Sequence, residues 1–385
     1  MEADLVIDNG VVLTMDGPGV GERGGPLLIS RGRVVGPDTP VARDALRIDA
    51  GGRVVAPGLV DPHAHPVFAG ERGLEFAMRM AGTSYEEIAA LGGGILSTVR
   101  ATRAASDEAL LAAAKTRLLR MLAYGVTTCE GKSGYALDIE GEKRLLRLLR
   151  ELGCVPTLLA HMVPPEHNRQ DYLRLFIDEL IPSGLAEFCD VFCDRGAFTL
   201  AETRRILEAA RAAGLGLRVH AEQLSYTGAA ELAAELGAAS ADHLEFVSPA
   251  GIEALAASGT VAVLLPGAAL TLRAPWPPAR RMIDAGVTVA LGTDCNPGTS
   301  MTEALPLMMT LGCTQLGMTV EETWRAVTVN AARSLLRDDI GRLSPGCRAD
   351  IAIFDFSDWR SLPYHFGPPQ AWLVYKDGRT AFRAS

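Results

Sequence analysis

Lysine is scarce in this 385-residue chain: only Lys115, Lys132, Lys143 and Lys376 occur, and almost all the positive charge is arginine. No basic tract stands out, and the net charge is −9. A general nucleic-acid binder needs clustered Lys and Arg, so that class is excluded. Long apolar runs are missing too. The longest, Val261 to Leu272, is short and carries Pro266 and Gly267, whereas a membrane-spanning helix needs roughly 18–20 apolar residues. The opening Met1-Glu2-Ala3-Asp4 lacks the positive region of a secretory signal. Seven cysteines, an odd number, are scattered with no Cys-x-x-Cys; Cys189 and Cys193 stand four apart. That pattern implies reduced thiols in a cytoplasmic protein and argues against a structural thiolate zinc site.

The chain has the length of two ordinary domains, or of one large barrel plus an accessory. With 48% hydrophobic and 22% charged residues, it has the composition of a soluble globular enzyme. The first fifty residues are short β-type pieces with turns: Leu5-Val6-Ile7, Val11-Val12-Leu13, Leu27-Leu28-Ile29 and Arg33-Val34-Val35, with a tight-turn signal at Asn9-Gly10. The C-terminal end has the same texture at Asp350 to Phe354 and Ala371 to Gly378. The two ends, residues 1–55 and 343–385, are expected to form one small β-sandwich.

Between them, residues 56–342 alternate strand and helix. Helices are punctuated by Ser106 and Gly125, by the capping box of Thr199 and Glu202 with Gly214, and by Ser248-Pro249. Eight short apolar runs separate them: Val54 to Val60, Val126 to Cys129, Val155 to Ala160, Val191 to Cys193, Leu217 to Val219, Ala239 to Ala241, Val261 to Leu265, and Val287 to Leu291. Eight such units predict a (β/α)8 barrel of the α/β class, with its active site at the C-terminal ends of the strands.

That topology gathers the chemistry. The run Pro57-Gly58-Leu59-Val60-Asp61-Pro62-His63-Ala64-His65 ends in two histidines one residue apart, which an extended chain points to one side. His161 ends the third run, His220 the fifth, His243 the sixth and Asp294 the eighth, so five of the seven histidines fall at one mouth. Three imidazoles and a carboxylate suit Zn, Fe or Mn. Such an ion lowers the pKa of bound water from about 15.7 toward about 7. Asp294 can bind metal and take the water's proton, and His243 can orient the attacked oxygen or assist proton transfer. A second metal usually needs a bridging group such as a carbamylated lysine on the fourth strand; no lysine lies between Lys143 and His220, which favours one ion.

The His-x-His run resembles the first-strand signature of the amidohydrolase superfamily. The likeness extends in order through Phe68-Ala69-Gly70-Glu71-Arg72, Gly92 to Ile95, Lys132-Ser133-Gly134-Tyr135, His161 to Glu166, His220-Ala221-Glu222-Gln223, Ser240 to Leu244, Leu264 to Gly267, Thr293 to Gly298 and Tyr364 to Gly367. Together these resemble the imidazolonepropionase family. Ala136, where that family mostly has Gly, and Ala269-Leu270, where it usually has an aromatic pair, depart from the pattern at the pocket wall.

The resemblance implies hydrolysis of 4-imidazolone-5-propanoate to N-formimidoyl-L-glutamate, a step of histidine degradation, by a homodimer holding one Zn or Fe ion. It implies metal ligands His63, His65, His220 and Asp294, and substrate contacts Arg72, Tyr135, His161, Gln223, Asn296, Gly298 and Thr299. Those types suit a small anionic cyclic amide. Arg72 can clamp a carboxylate, Tyr135 offers a flat face and a hydroxyl, and His161 and Gln223 offer polar contacts. Glu222 is read either as an acceptor supporting His220 or as an acid. The rival readings are another cyclic amidohydrolase or nucleobase deaminase with the same metal site, and a non-catalytic barrel; the latter would be expected to have lost ligands.

Overall fold

A computed structural model describes residues 2–83, 87–88 and 91–384. Its central element is an eight-stranded parallel sheet with strands in sequence order: β1 (Leu59–Asp61), β2 (Val126–Lys132), β3 (Val155–Ala160), β4 (Phe188–Cys193), β5 (Gly216–Ala221), β6 (Ser240–His243), β7 (Val261–Leu264) and β8 (Val289–Leu291). Each successive pair is parallel, as right-handed crossovers through helices require. The expected helix starts are present: Ser106 caps Asp107–Ala123, Thr199 and Glu202 form a reciprocal box on Leu200–Ala212, and Ser248 caps Pro249–Ser258.

The seam between β1 and β8 closes by contacts beyond the strands. The Asp294 N–H donates to the His63 carbonyl at 2.9 Å, the His65 N–H donates to the Cys295 carbonyl at 3.0 Å, and Ala64 bridges Cys295. At the other end of the seam, the Val60 N–H donates to the Val327 carbonyl and Asn330 Nδ2 to the Val289 carbonyl, both at 2.8 Å. Closure is therefore made partly by the residues that carry the candidate ligands.

The chain ends build the β-sandwich. One sheet has four strands: Arg33–Val35, Leu27–Ser30, Ala3–Asp8 and Val41–Asp49. The other has six: Arg379–Arg383, Ala371–Lys376, Ile351–Phe354, Val54–Pro57, Val11–Leu13 and Glu22–Arg23. The inner strands Val54–Pro57 and Ile351–Phe354 are buried on both faces, and the period of two sorts their side chains. Val55, Ile351 and Ile353 pack with Leu5, Ile7 and Ile29 inside the sandwich, while Val54, Ala56, Ala352 and Phe354 join the core shared with the barrel.

One element differs from expectation. The run Val54 to Val60 is two strands, not one. Val54–Pro57 pairs antiparallel with Ile351–Phe354, and the chain then crosses to the barrel at Gly58. A Cβ on Gly58 would lie 2.2 Å from Thr127 Oγ1, so the crossover needs glycine for close approach.

Candidate metal centre and substrate pocket

The C-terminal mouth brings His63, His65, His161, His220, His243 and Asp294 together, all but His161 fully buried. Candidate ligand nitrogens of His63, His65 and His220 all lie within 4.8 Å of one another. Asp294 Oδ1 is 3.6 Å from His63 Nε2 and 3.5 Å from His65 Nε2. His243 stands on the same side, its ring centre 5.3 Å from that of His220 and 5.6 Å from that of His63. Backbone conformation aims several of these groups: Glu222, His243 and Asp294 have φ of +57°, +78° and +49°. That left-handed region is uncommon for non-glycine residues, and such strain concentrates at functional sites.

The imidazoles suit a cation. Burial, reinforced by the Lys132 charge and the neighbouring rings, holds His63 well below the ordinary histidine range, and burial also lowers His65. Both are therefore neutral. His63 Nδ1 donates to Asp242 Oδ2 at 2.6 Å, and its buried Nε2 has no hydrogen-bond partner among the described residues. The tautomer so fixed turns the Nε2 lone pair toward the cluster, as a metal ligand requires. His220 faces a second buried carboxylate, its Nδ1 2.9 Å from Asp190 Oδ2. Three imidazoles and a carboxylate fit a divalent metal ion.

The partner of His220 is therefore Asp190. Glu222 does not back that ring: its Oε1 accepts the Gly228 N–H at 3.0 Å, at the start of helix Ala229–Glu235. Burial and the Glu231 charge push Glu222 up to about 7. His243 faces Glu245 across 3.6 Å, and that carboxylate raises it against the opposing effect of burial. Asp294 stays below its ordinary value: burial alone would raise it, but the His65 hydrogen bond and the surrounding imidazoles outweigh that.

Around this centre lie the residues expected to meet substrate. The Tyr135 ring is 5.6 Å from His65 and 5.5 Å from His161, and burial raises its hydroxyl far above the ordinary range, so it is a neutral donor. His161 has Nδ1 3.1 Å from the Gly134 carbonyl, and burial lowers it to about 3. Gln223 is buried two residues after β5. Arg72 donates from Nε to Glu75 at 2.8 Å, and its Nη1 sits where a Cβ on Gly298 would be only 2.5 Å away. Asn296 shapes the following turn. Its Oδ1 accepts the N–H groups of Gly298 and Thr299 at 2.7 and 2.8 Å, and its Nδ2 donates to the Asp294 carbonyl at 2.6 Å. Thr299 Oγ1 is 3.3 Å from Asp294 Oδ2. A cavity of about 390 Å³ opens beside Arg72, walled also by Phe76, Arg79, Gly298, Thr299 and Met301. The imidazoles do not line it; it reaches the metal centre at Thr299, whose Oγ1 is the atom 3.3 Å from Asp294 Oδ2. Of the departures from the family pattern, Ala136 and Ala269 are buried and Leu270 is exposed.

Several functional side chains had no role from sequence: Asp190 and Asp242 behind the ligands, and Glu142, whose carboxylate accepts the N–H groups of Gly134, Ala136 and Leu137 at 2.6–2.8 Å and shapes the Tyr135 loop. Their only signal was a charge inside an otherwise apolar strand or helix face, which burial makes costly unless it is paired. His63, Glu130 and Asp242 form a second group of close donors. Lys132 and Arg218 already occupy it, with Lys132 Nζ 3.0 Å from Glu130 and Arg218 Nε 3.0 Å from the same carboxylate.

Comparison with known proteins agrees with this geometry. The model of the amidohydrolase family matches residues 78–382. An imidazolonepropionase of Myxococcus xanthus (strain DK1622) is 51% identical over 363 residues, covering 91% of this chain and 85% of that protein. One of Geobacillus kaustophilus (strain HTA426) is 47% identical over 378 residues, covering 92% and 89%. Among solved structures, a zinc-bound adenosine deaminase from Xanthomonas campestris superimposes with a TM-score of 0.75 at 19% identity, covering 99% of this chain and 93% of that one; at that identity the likeness concerns the fold. With half its residues shared across nearly its whole length, and a barrel mouth that supplies three imidazoles and an aspartate, the chain belongs to the imidazolonepropionase family of amidohydrolases.

Proposed function

We infer that this enzyme hydrolyses the ring amide C–N bond of 4-imidazolone-5-propanoate, giving N-formimidoyl-L-glutamate in histidine degradation. The observation that carries the reading is the pairing of the imidazole–aspartate centre with Arg72, a guanidinium at the adjoining cavity whose place depends on Gly298. A neutral nucleobase would not need that cation; a propionate would.

His63, His65, His220 and Asp294 would hold one divalent ion, zinc or iron, which supplies Lewis acidity and an acidified water at neutral pH. The protein's own groups do the rest. Arg72 binds the propionate by paired charge-assisted bonds. Tyr135 lies against the ring, and the neutral His161, its Nδ1 N–H turned to the Gly134 carbonyl, accepts a substrate N–H at Nε2. Gln223 meets the ring amide, while Asn296, Gly298 and Thr299 form the opposite wall. Asp294 takes a proton from the attacking water at its carboxylate and delivers it to the departing ring nitrogen. His243 donates to the attacked oxygen as negative charge develops there. Glu222 Oε2 is buried without a partner among the described residues, and with its pKa pushed up to about 7 it is the reserve acid.

A homodimer in the cytoplasm suits seven free cysteines and the exposed Leu74, Phe76 and Met80 on helix Gly73–Met80; sedimentation would measure the assembly. The test of function is turnover by metal-analysed protein. Imidazolone propanoate should be consumed, and cytosine, guanine and hydantoins left untouched. A zinc-loaded protein inert toward the first and active on any of the others would move it to another amidohydrolase class.

A further inference from the structure

Beneath the ligand imidazoles lies a layer of five buried charged side chains. Glu130 and Lys132 come from β2, Asp190 from β4, Arg218 from β5 and Asp242 from β6, and all five are fully excluded from solvent. A lone ammonium in such a place would be strongly disfavoured. Lys132 Nζ is compensated by three carboxylates, at 2.6 Å from Asp190 Oδ2, 3.0 Å from Glu130 Oε2 and 3.5 Å from Asp242 Oδ2. Which oxygens it meets is the informative detail. Asp190 Oδ2 is also the atom facing His220 Nδ1 at 2.9 Å, and Asp242 Oδ2 is the atom that accepts from His63 Nδ1 at 2.6 Å.

A single ammonium therefore touches both carboxylate oxygens that orient two different ligand rings. Those rings come from β5 and from the segment after β1, whose strands are far apart in the barrel order. We propose that Lys132 is a positioning residue for the metal centre, its ammonium tying Asp190 Oδ2 to Asp242 Oδ2 and thereby fixing how His220 and His63 present their nitrogens to the ion. Arg218 supports the arrangement from the far side. It lies 3.3 Å from Asp242 Oδ2 and donates to the carbonyls of Pro62 and Ser334 at 2.8 and 2.7 Å, which anchors the chain just before His63. Lys132 itself is fixed at the backbone, its N–H donating to the Ala64 carbonyl between the two ligands of the His-x-His pair at 2.9 Å.

This inference rests on the metal reading of the site, and its test separates the two. Zinc affinity of the apoprotein would be measured by chelator competition for wild type, Lys132→Met, Lys132→Arg and the double variant Lys132→Met with Glu130→Gln, which removes one charge of each sign. Lys132→Met should bind zinc about 10–100-fold more weakly, the range for losing a group that orients a ligand. Its kcat should fall while KM for imidazolone propanoate stays within a factor of about two, and Lys132→Arg should recover part of the affinity. The double variant should fold and still bind zinc weakly. In the wild-type protein the ¹⁵Nζ resonance of Lys132 should shift when zinc is added, a readout that needs no variant to fold. Wild-type zinc affinity in either Met-containing variant, or a Lys132 resonance indifferent to zinc, would overturn the role. A wild-type protein that takes up no zinc would overturn the metal reading beneath it.

Discussion

Thr293 grips Asp61 twice across the seam of the barrel, its hydroxyl donating to Asp61 Oδ2 at 2.6 Å and its N–H to Oδ1 at 3.1 Å. Burial raises the Asp61 carboxyl to about 7, against the pull of these bonds. The pair joins the residue before Asp294 to the strand that leads into His63, so it sets the distance between two ligands while it closes the barrel.

Replacing Thr293 by Val keeps the shape and removes the hydroxyl, leaving a buried carboxylate oxygen short of a donor. That should destabilise the fold by about 1–3 kcal/mol, read as a lower urea midpoint at unchanged slope, and should weaken zinc binding in parallel. An unchanged midpoint would show that water replaces the hydroxyl at no cost.

Arg72 should matter to substrate capture more than to chemistry, because it lies at the cavity and away from the imidazoles. In Arg72→Met, loss of a charge-assisted pair worth about 1.5–3 kcal/mol should raise KM by about 10–150-fold with kcat nearly constant. A large fall in kcat at constant KM would mean that the guanidinium acts on the reacting atoms instead.

The barrel was legible because strand and helix alternate with clear caps, and because five histidines recur at strand ends. The first strand is not separable in sequence because Val54 to Val60 is apolar throughout: it serves the sandwich up to Pro57 and the barrel from Leu59, and apolarity is common to both. Of the two readings of Glu222, support of His220 is the one the backbone disfavours. Glu222 has φ of +57°, and its Oε1 accepts the Gly228 N–H instead. Lys132, Asp190 and Asp242 stand on three different strands, and no local spacing relates them. Their relationship exists only once the strands are side by side.

Acid stability should depend on Glu202. Its carboxylate accepts from Arg169 at 2.6 and 2.7 Å and from the Thr199 N–H at 2.9 Å, and chiefly the arginine lowers it to about 2. A carboxyl whose folded pKa lies below its unfolded value of about 4.3 adds stability that is fully present above the unfolded value. That stability is lost as pH falls toward 2. Glu202→Gln should therefore be less stable than wild type at pH 7, and the gap should close between about pH 4.3 and 2, measured by denaturant unfolding across that window. A gap independent of pH would assign the effect to packing.

Removal of metal should abolish turnover and loosen the fold at once. An ion that binds the folded chain and not the unfolded one stabilises by about 2.7 kcal/mol when present at about 100 times its Kd, so dialysis against a chelator should lower Tm, and zinc should restore both Tm and activity. The stoichiometry follows from charge. The second group of close donors, around Glu130 and Asp242, already contains Lys132 at 3.0 and 3.5 Å and Arg218 at 3.0 and 3.3 Å. A divalent ion there would have to displace or face two buried cations, whereas the imidazole cluster offers neutral nitrogens and the Asp294 carboxylate. Calorimetric titration of the apoprotein should reach its endpoint at one zinc per chain. Two tight ions, or full turnover by protein that metal analysis finds empty, would contradict the centre described above.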